Sequence, residues 1–204
     1  MPLRNPHRRA FLAQASALGV LGMATPRALF AQETADLIRF DPDAPVLGNP
    51  DGDVTLVEYF DYQCGFCKAM HPVITDLVQQ DGNIRLVLKD WPVFGVASVY
   101  AAQLALGAAS LGHYAEVNHA LMDTRGELGF DVIADIVSGI VPADDAMAAY
   151  DADRARWDPL LARNAAQAEA FGFIGTPSFV IGAEQFGGAM ERPALEAASA
   201  AARA

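Results

Sequence analysis

Cysteine and basic residues are both scarce in this chain of 204 residues. It contains two cysteines, and its 14 Lys and Arg residues are outnumbered by 25 Asp and Glu residues, for a formal net charge of −11. A chain this acidic is repelled by nucleic acids and by anionic lipid surfaces, and the sequence has no basic run to offset the repulsion. The composition therefore argues against a nucleic-acid-binding protein and against one that binds anionic membranes.

A long hydrophobic run is also missing, although a shorter one lies near the N-terminus. A basic stretch ending in Arg8-Arg9 precedes a weakly apolar run over residues 10–24, and Arg27 cuts it short. Because a membrane-spanning helix needs about 20 apolar residues, a cleavable export signal is favoured over an anchor. We predict a signal over residues 1–31. Its arginine pair resembles that of twin-arginine signals, with a Sec signal as the alternative.

Removal of the signal would leave a more acidic protein. Residues 32–204 keep 10 of the 14 basic residues and all 25 acidic ones, for a formal charge of −15. We predict an extended, proline-containing lead-in over residues 32–53 and one domain over residues 54–204, a length that suits a single hydrophobic core. The processed chain is expected to be a monomer that is not embedded in a membrane.

Hydrophobic patterns in the rest of the chain predict an α/β fold, with strands in runs of β-branched and aromatic residues and helices in alanine-rich stretches. Interruptions at Gly112, Gly126, Gly139 and Pro142 divide a long helical insertion into three or four helices. The expected order is a short strand near Val46, strand Val54–Phe60, helix Cys64 to about Gln80, strand Ile84–Trp91, the insertion over about 98–171, strand Thr176–Gly182, a short strand near Phe186 and helix Pro193–Ala202.

The two cysteines are separated by only two residues, in the motif Cys64-Gly65-Phe66-Cys67. A disulfide across so small a loop removes little entropy from the unfolded chain, which favours a reactive bond over a structural one. Cys64 follows a predicted strand and begins the next helix, where free N–H groups and the helix dipole stabilise a thiolate. We predict that Cys64 attacks a partner disulfide and that Cys67 then releases the partner from the mixed disulfide.

A metal site is the alternative use of such a cysteine pair. Cys64 and Cys67 could bind copper or zinc with His71 as a third ligand. A fourth ligand would have to come from His113, His119 or an acidic residue at no recognisable spacing. This incomplete ligand set favours redox chemistry, for which we predict neither a metal nor another cofactor.

Two separated motifs resemble those of the DsbA family of the thioredoxin superfamily. The first runs from Glu58 to Lys68 (EYFDYQCGFCK) and the second from Gly175 to Gly182 (GTPSFVIG). The resemblance covers the chain from about Val54 to its end, including the helical insertion. It implies a thioredoxin-like fold, with the insertion between the CxxC half and the cis-proline half, and the activity of a protein thiol:disulfide oxidoreductase.

The resemblance also implies roles for residues around the cysteines. Thr176-Pro177 is expected to be a cis peptide that faces the pair and, with Gly65-Phe66, contacts an extended substrate. Glu58 is expected to move protons to and from Cys67, with Lys89 as its charged partner. The alternatives are that Pro177 only begins a strand and that Glu58 and Lys89 point to solvent.

Further side chains are less constrained by the sequence. A proline, Pro72, matches the one that kinks this helix in thioredoxins, which leaves His71 as a partly exposed surface residue. Four apolar side chains near the predicted active site are expected either to line a substrate groove or to belong to the core: Phe66, Trp91, Val93 and Phe94.

The direction of electron flow stays open. Gly65-Phe66 lacks the histidine found in the family's strongest oxidase. Thr176 is the residue of the isomerases, whose dimerisation domain residues 32–53 are too few to form. We predict a periplasmic or otherwise extracytoplasmic enzyme that forms or exchanges disulfides in unfolded or partly folded exported proteins and is reset by a redox partner. A periplasmic reductase or isomerase is the alternative.

Overall fold

A five-stranded mixed sheet forms the centre of the computed structural model, which describes residues 36–204. The predicted export signal lies outside the described residues. The strands are β1 (Val46–Gly48), β2 (Val54–Phe60), β3 (Ile84–Asp90), β4 (Ser178–Ile181) and β5 (Glu184–Gly187). The helices are α1 (Gly65–Asp81), α2 (Val96–Ser110), α3 (Tyr114–Met122), α4 (Phe130–Ser138), α5 (Ala143–Ala152), α6 (Arg154–Ala170) and α7 (Arg192–Ala201).

The sheet has the strand order β1-β3-β2-β4-β5. All seven residues of β2 are buried, as its run of β-branched and aromatic residues predicts for a central strand. β2 pairs in parallel with β3, and Glu58 lies opposite Leu88; on its other side, β2 pairs antiparallel with β4. This α/β arrangement is the predicted thioredoxin-like fold, and it directs the end of β2 into the cysteine motif.

The insertion between β3 and β4 contains five helices rather than the predicted three or four. The extra break lies at Asp153, between α5 and α6, where the chain has neither glycine nor proline. The Asp153 carboxylate instead accepts a hydrogen bond from the Ser110 hydroxyl at 2.7 Å. Gly107 lets α2 lie directly against α5, because a Cβ there would stand 1.8 Å from the Ala146 carbonyl oxygen. These are contacts between separate helices, which local sequence patterns do not report.

The lead-in is not simply extended. Residues 36–40 are helical, and the strand predicted near Val46 is present as β1, which pairs antiparallel with β3. Between them, Asp41 is buried and forms ion pairs with Lys89 and Arg163. The lead-in is therefore attached to both the sheet and α6. Among the described residues, no helix is both long and apolar enough to cross a membrane.

Candidate active site

Cys64 lies at the junction between the central strand and α1. It caps the N-terminus of that helix: its Sγ accepts a hydrogen bond from the Cys67 backbone N–H at 3.3 Å. Its own N–H donates to the Asp61 carbonyl oxygen at 3.0 Å, which closes the turn after β2. The strand and the helix thus fix the position of the sulfur, and only 3% of Cys64 is exposed.

Hydrogen bonds around Cys64 favour its thiolate. The Cys67 thiol lowers the pKa of Cys64 most, and the backbone N–H groups of Cys67 and Phe66 lower it further. Burial opposes this shift, and the resulting pKa is about 6. Because an ordinary cysteine has a pKa of about 8.5, Cys64 is mostly a thiolate at neutral pH, whereas an unperturbed thiol would be protonated.

Cys67 has the opposite environment. It is fully buried, and burial raises the pKa of its thiol far above the ordinary value; the hydrogen bond to Cys64 and the charge of Glu58 add to this increase. The two sulfurs are not joined by a disulfide in this structure. The pair therefore combines a thiolate at the helix N-terminus with a buried thiol that is difficult to ionise without a base.

Glu58 is a buried carboxyl group with the properties of such a base. Burial raises its pKa to about 8, and the charge of Cys64 contributes. Its Oε1 is buried and has no hydrogen-bond partner among residues 36–204. A carboxyl group in this setting can change protonation close to neutral pH, which is the property that a proton carrier needs.

The predicted pairing of Glu58 with Lys89 is wrong. Lys89 lies opposite Tyr59 in the β2–β3 register, so it projects from the other face of the sheet. There its Nζ donates to Asp41 Oδ2 at 3.3 Å, and both side chains are fully buried. Lys89 therefore anchors the lead-in and does not contact the carboxyl group beside the cysteines.

The loop before β4 lies against Cys64. The Thr176–Pro177 peptide is cis, as the family resemblance implied. The Cys64 sulfur lies 3.2 Å from the Thr176 carbonyl oxygen, to which it donates a hydrogen bond when it is protonated. The Thr176 hydroxyl is buried and has no hydrogen-bond partner among the described residues. The Gly188 N–H donates to the Pro177 carbonyl oxygen at 2.9 Å and holds this loop to the end of β5.

A groove of about 640 Å³ runs beside this loop. Its apolar wall includes Phe66, 69% of which is exposed, and the fully exposed Ile174. Of the four apolar residues considered for a groove, only Phe66 lines this one. Trp91 packs edge-on against Tyr59, with ring centroids 6.4 Å apart. The other lining residues are 171–173, 175–178, Gln185 and 187–189.

Asp61 was not among the predicted site residues, although it organises the turn. Its carboxylate accepts from the N–H groups of Val93 and Phe94, at 2.6 and 3.0 Å, and from the Ser98 hydroxyl at 2.7 Å. It also accepts from the Gln63 N–H at 2.7 Å. Asp61 thus ties the segment after β3 to the cysteine turn. Its position at the end of a buried strand, three residues before Cys64, was the available signal.

His71 is buried, whereas the sequence predicted a partly exposed surface residue. Its Nε2 lies 3.0 Å from Nδ1 of His119, so the two rings join α1 to α3. Burial lowers the pKa of His71 to about 4, with a contribution from His119. Within residues 36–204, no three His, Cys, Asp or Glu side chains are grouped as ligands for a metal ion.

Comparisons with known proteins identify similar folds and sequences. A family model described as thioredoxin matches residues 41–198. A thioredoxin-like oxidoreductase from Silicibacter pomeroyi is 37% identical, with a TM-score of 0.79 over 82% of this chain and 96% of that one. The thiol-disulfide exchange protein alpha-DsbA2 from Wolbachia pipientis is 31% identical, with a TM-score of 0.76 over 83% of this chain and 92% of that one.

The curated relatives are much longer proteins. The Na⁺/H⁺ antiporter NhaA 1 of Salinispora arenicola is 30% identical over 168 residues, which is 79% of this chain but 25% of that protein. This chain therefore spans about a quarter of the length of the curated relatives it matches.

Proposed function

This chain belongs to the thioredoxin family, among its DsbA-like thiol:disulfide oxidoreductases, and we propose that it forms or exchanges disulfides in exported proteins through Cys64 and Cys67. The observation that carries the proposal is the contrast between the two thiols. Cys64 has a pKa of about 6, whereas burial raises the pKa of Cys67. One sulfur is therefore suited to attack and departure, and the other to resolution of the intermediate.

The proposed reaction transfers two electrons from the substrate thiols to the Cys64–Cys67 disulfide. A substrate thiolate attacks Cys64 Sγ of the oxidised pair, the Cys64–Cys67 bond breaks, and the Cys67 sulfur leaves and takes a proton from Glu58. A second substrate thiolate then attacks the substrate sulfur of the mixed disulfide and expels Cys64 as a stable thiolate. The substrate gains a disulfide and the enzyme becomes a dithiol. A partner disulfide accepts the two electrons when the pair is reset.

We propose that the substrate protein binds at the groove and at the loop before β4. An extended substrate segment would lie along Thr176-Pro177, and its apolar side chains would contact Phe66 and Ile174. The residues that line the groove are mainly apolar and none of them is charged, and Phe66 and Ile174 are exposed. Such a surface suits unfolded or partly folded chains of varied sequence, which expose apolar residues.

The action of the enzyme outside the cytoplasm is part of the proposal. It is supported by the basic, apolar and small-residue order of residues 1–31, which is typical of a cleavable signal. The mass of the protein recovered from the periplasm tests it: a mature chain beginning near Gln32 supports export, and an intact chain confined to the cytoplasm contradicts it.

The rate of exchange is expected to show two ionisations. Attack of the reduced enzyme on a peptide disulfide should increase as pH rises through about 6, where Cys64 becomes a thiolate. Resolution of the mixed disulfide should increase again near pH 8, where Glu58 becomes able to accept the Cys67 proton. Glu58→Gln should remove the second increase and slow resolution by about 100-fold, while the first ionisation remains. Rapid-quench kinetics from pH 5 to 10 measures both steps; equal resolution rates would exclude Glu58 as the base.

The reduction potential of the pair should lie between those of thioredoxin and of the strongest oxidase of the family, from about −270 to about −120 mV. A pKa of about 6 for Cys64 lies between the values of about 7 and about 3.5 that accompany those two potentials. A more stable thiolate favours the reduced pair and so makes the disulfide more oxidising. Equilibration with glutathione buffers provides the measurement. A value below this range would favour a reductase, the alternative function.

A further inference from the structure

Most of the basic side chains in the described part of this acidic protein form ion pairs with carboxylates, but three do not. Residues 36–204 contain ten Lys and Arg side chains, of which seven form ion pairs with carboxylates of the described residues. Lys68, Arg85 and Arg125 form no such ion pair there. Arg85 donates to the Arg39 carbonyl oxygen. It lies near the start of β3, at the end of the sheet away from the cysteines. The other two lie together beside the cysteine motif.

Lys68 and Arg125 line one cleft of about 390 Å³, called the Lys68 cleft from here on. It opens between the first turns of α1 and the loop after α3, and Gly65 forms its edge next to Cys64. The space beside Gly65 is open, since a Cβ there would have no neighbour within 4 Å. The cleft shares no lining residue with the substrate groove. Its remaining lining residues are Ala69, Met122, Asp123, Thr124 and Gly126.

Lys68 carries the buried charge of this cleft. It is 8% exposed, and its Nζ donates to the Gly126 carbonyl oxygen at 2.8 Å. An ammonium group has three donors, and this is its one acceptor among the described residues. Burial lowers the pKa of Lys68, and the charges of Asp61 and Cys64 oppose that decrease. A bound anion would compensate the cost of keeping this charge out of water.

The wall that carries Arg125 is fixed relative to the attacking sulfur. Gln63, directly before Cys64, makes two hydrogen bonds with the backbone of Leu128: its amide N–H donates to the carbonyl oxygen at 2.7 Å, and its Oε1 accepts from the N–H at 2.8 Å. With the bond from Lys68 to Gly126, these contacts hold the loop after α3 against the cysteine turn. The cleft is therefore preformed. The exposed Asp123 carboxylate also lines it and weakens its positive potential.

We propose that the Lys68 cleft binds a carboxylate of the thiol partner that joins Cys64 in the mixed disulfide. Lys68 and Arg125 would hold the carboxylate while the partner's apolar side chains lie in the groove on the other side of Phe66. The carboxylate belongs either to an acidic side chain near the cysteine of a protein substrate or to a small thiol such as glutathione. This inference rests on the proposed function, because it concerns the partner of that exchange.

Matched peptides test the proposal on the purified protein. Two dithiol peptides that differ only by Glu or Gln next to the reactive cysteine are oxidised by the wild-type protein, and the ratio of their kcat/KM values is measured. We expect a preference for the Glu peptide of about tenfold, the factor that one charge-assisted contact supplies. Lys68→Met and Arg125→Gln should each reduce this ratio. Arg85→Gln, which removes an equally unpaired charge elsewhere, should leave it unchanged.

The ratio separates binding of the carboxylate from changes at the sulfur. Any effect of Lys68→Met on the Cys64 thiolate acts on both peptides and cancels. A parallel comparison of glutathione with its carboxyl-amidated form distinguishes the small thiol from the protein substrate. A preference in either arm supports the cleft if Lys68→Met and Arg125→Gln reduce it, and a preference that both variants retain overturns the proposal. Equal rates in both arms overturn the proposal but leave the proposed function intact. Failure to oxidise either peptide would instead overturn the proposed function.

Discussion

Cys64→Ser is expected to abolish disulfide exchange. Serine cannot form a disulfide, and its hydroxyl does not ionise near neutral pH, so no nucleophile replaces the Cys64 thiolate. Cys67 cannot take over the reaction because it is fully buried and burial raises the pKa of its thiol. The oxidation of a dithiol peptide, followed by chromatography, should show no turnover above the uncatalysed rate. The same substitution leaves the helix cap available, since serine is also a good capping residue.

Cys67→Ser should have a different effect and provides the matched comparison. Its Cys64 can still attack a partner disulfide, but without the buried thiol the mixed disulfide is not resolved within the protein. Covalent adducts should therefore accumulate, and mass spectrometry of the protein after incubation with a disulfide peptide measures them. Adducts that form on Cys64→Ser but not on Cys67→Ser would reverse the roles assigned to the two cysteines.

The cysteine site was predictable because its signals lie close together in the chain. The run from Val54 to Phe60 indicates a buried strand, and Cys64 follows where the next helix begins. The direction of the strand and the start of the helix are enough to place a thiolate at a helix N-terminus. The Thr176–Pro177 loop was different: only the resemblance to a family connected it with residues more than a hundred positions earlier.

The predicted partner of Glu58 failed for a reason that concerns register. A single strand indicates which of its residues share a face, but not which residues of the neighbouring strand share it. Glu58 lies opposite Leu88, so the next residue, Lys89, projects to the other side. A shift of one residue would have produced the predicted pair. Register depends on the packing of whole strands, which a local reading does not contain.

The position at which the insertion packs was also not predictable from the sequence. His71 is buried because α3 brings His119 against it, and Lys68 is buried because the loop after α3 lies over it. Both residues belong to the exposed face of α1 when that helix is considered alone. The sequence indicated that an insertion exists and is helical, but where it rests on α1 follows from contacts between distant segments.

Asp41→Ala is expected to destabilise the fold by about 3–5 kcal/mol, because it leaves the charge of Lys89 buried without its carboxylate. The Lys89 and Asp41 side chains are both fully buried, and Arg163 also contacts Asp41 at 2.9 Å. Since small domains are stable by only about 5–15 kcal/mol, this loss is a large fraction of the total. Denaturant unfolding at neutral pH measures it. The exposed pair Asp36–Arg39, with atoms 3.8 Å apart, is the control: Asp36→Ala should cost at most about 1 kcal/mol.

A double substitution shows whether the charge itself is responsible. Lys89→Met replaces the ammonium group by an apolar side chain of similar length, so Asp41→Ala with Lys89→Met should recover part of the stability lost in Asp41→Ala.

The dependence of stability on acid provides a second test of the Asp41 charge. Burial opposes ionisation of Asp41, but the bond from Arg163 and the charge of Lys89 outweigh it and hold the pKa of Asp41 below the ordinary carboxyl value. Its contribution is therefore complete above the ordinary carboxyl pKa and is lost as pH falls through the lowered one. The wild-type protein and Asp41→Ala should thus converge in stability in strong acid; a difference that stays constant there would assign the loss to packing rather than to charge.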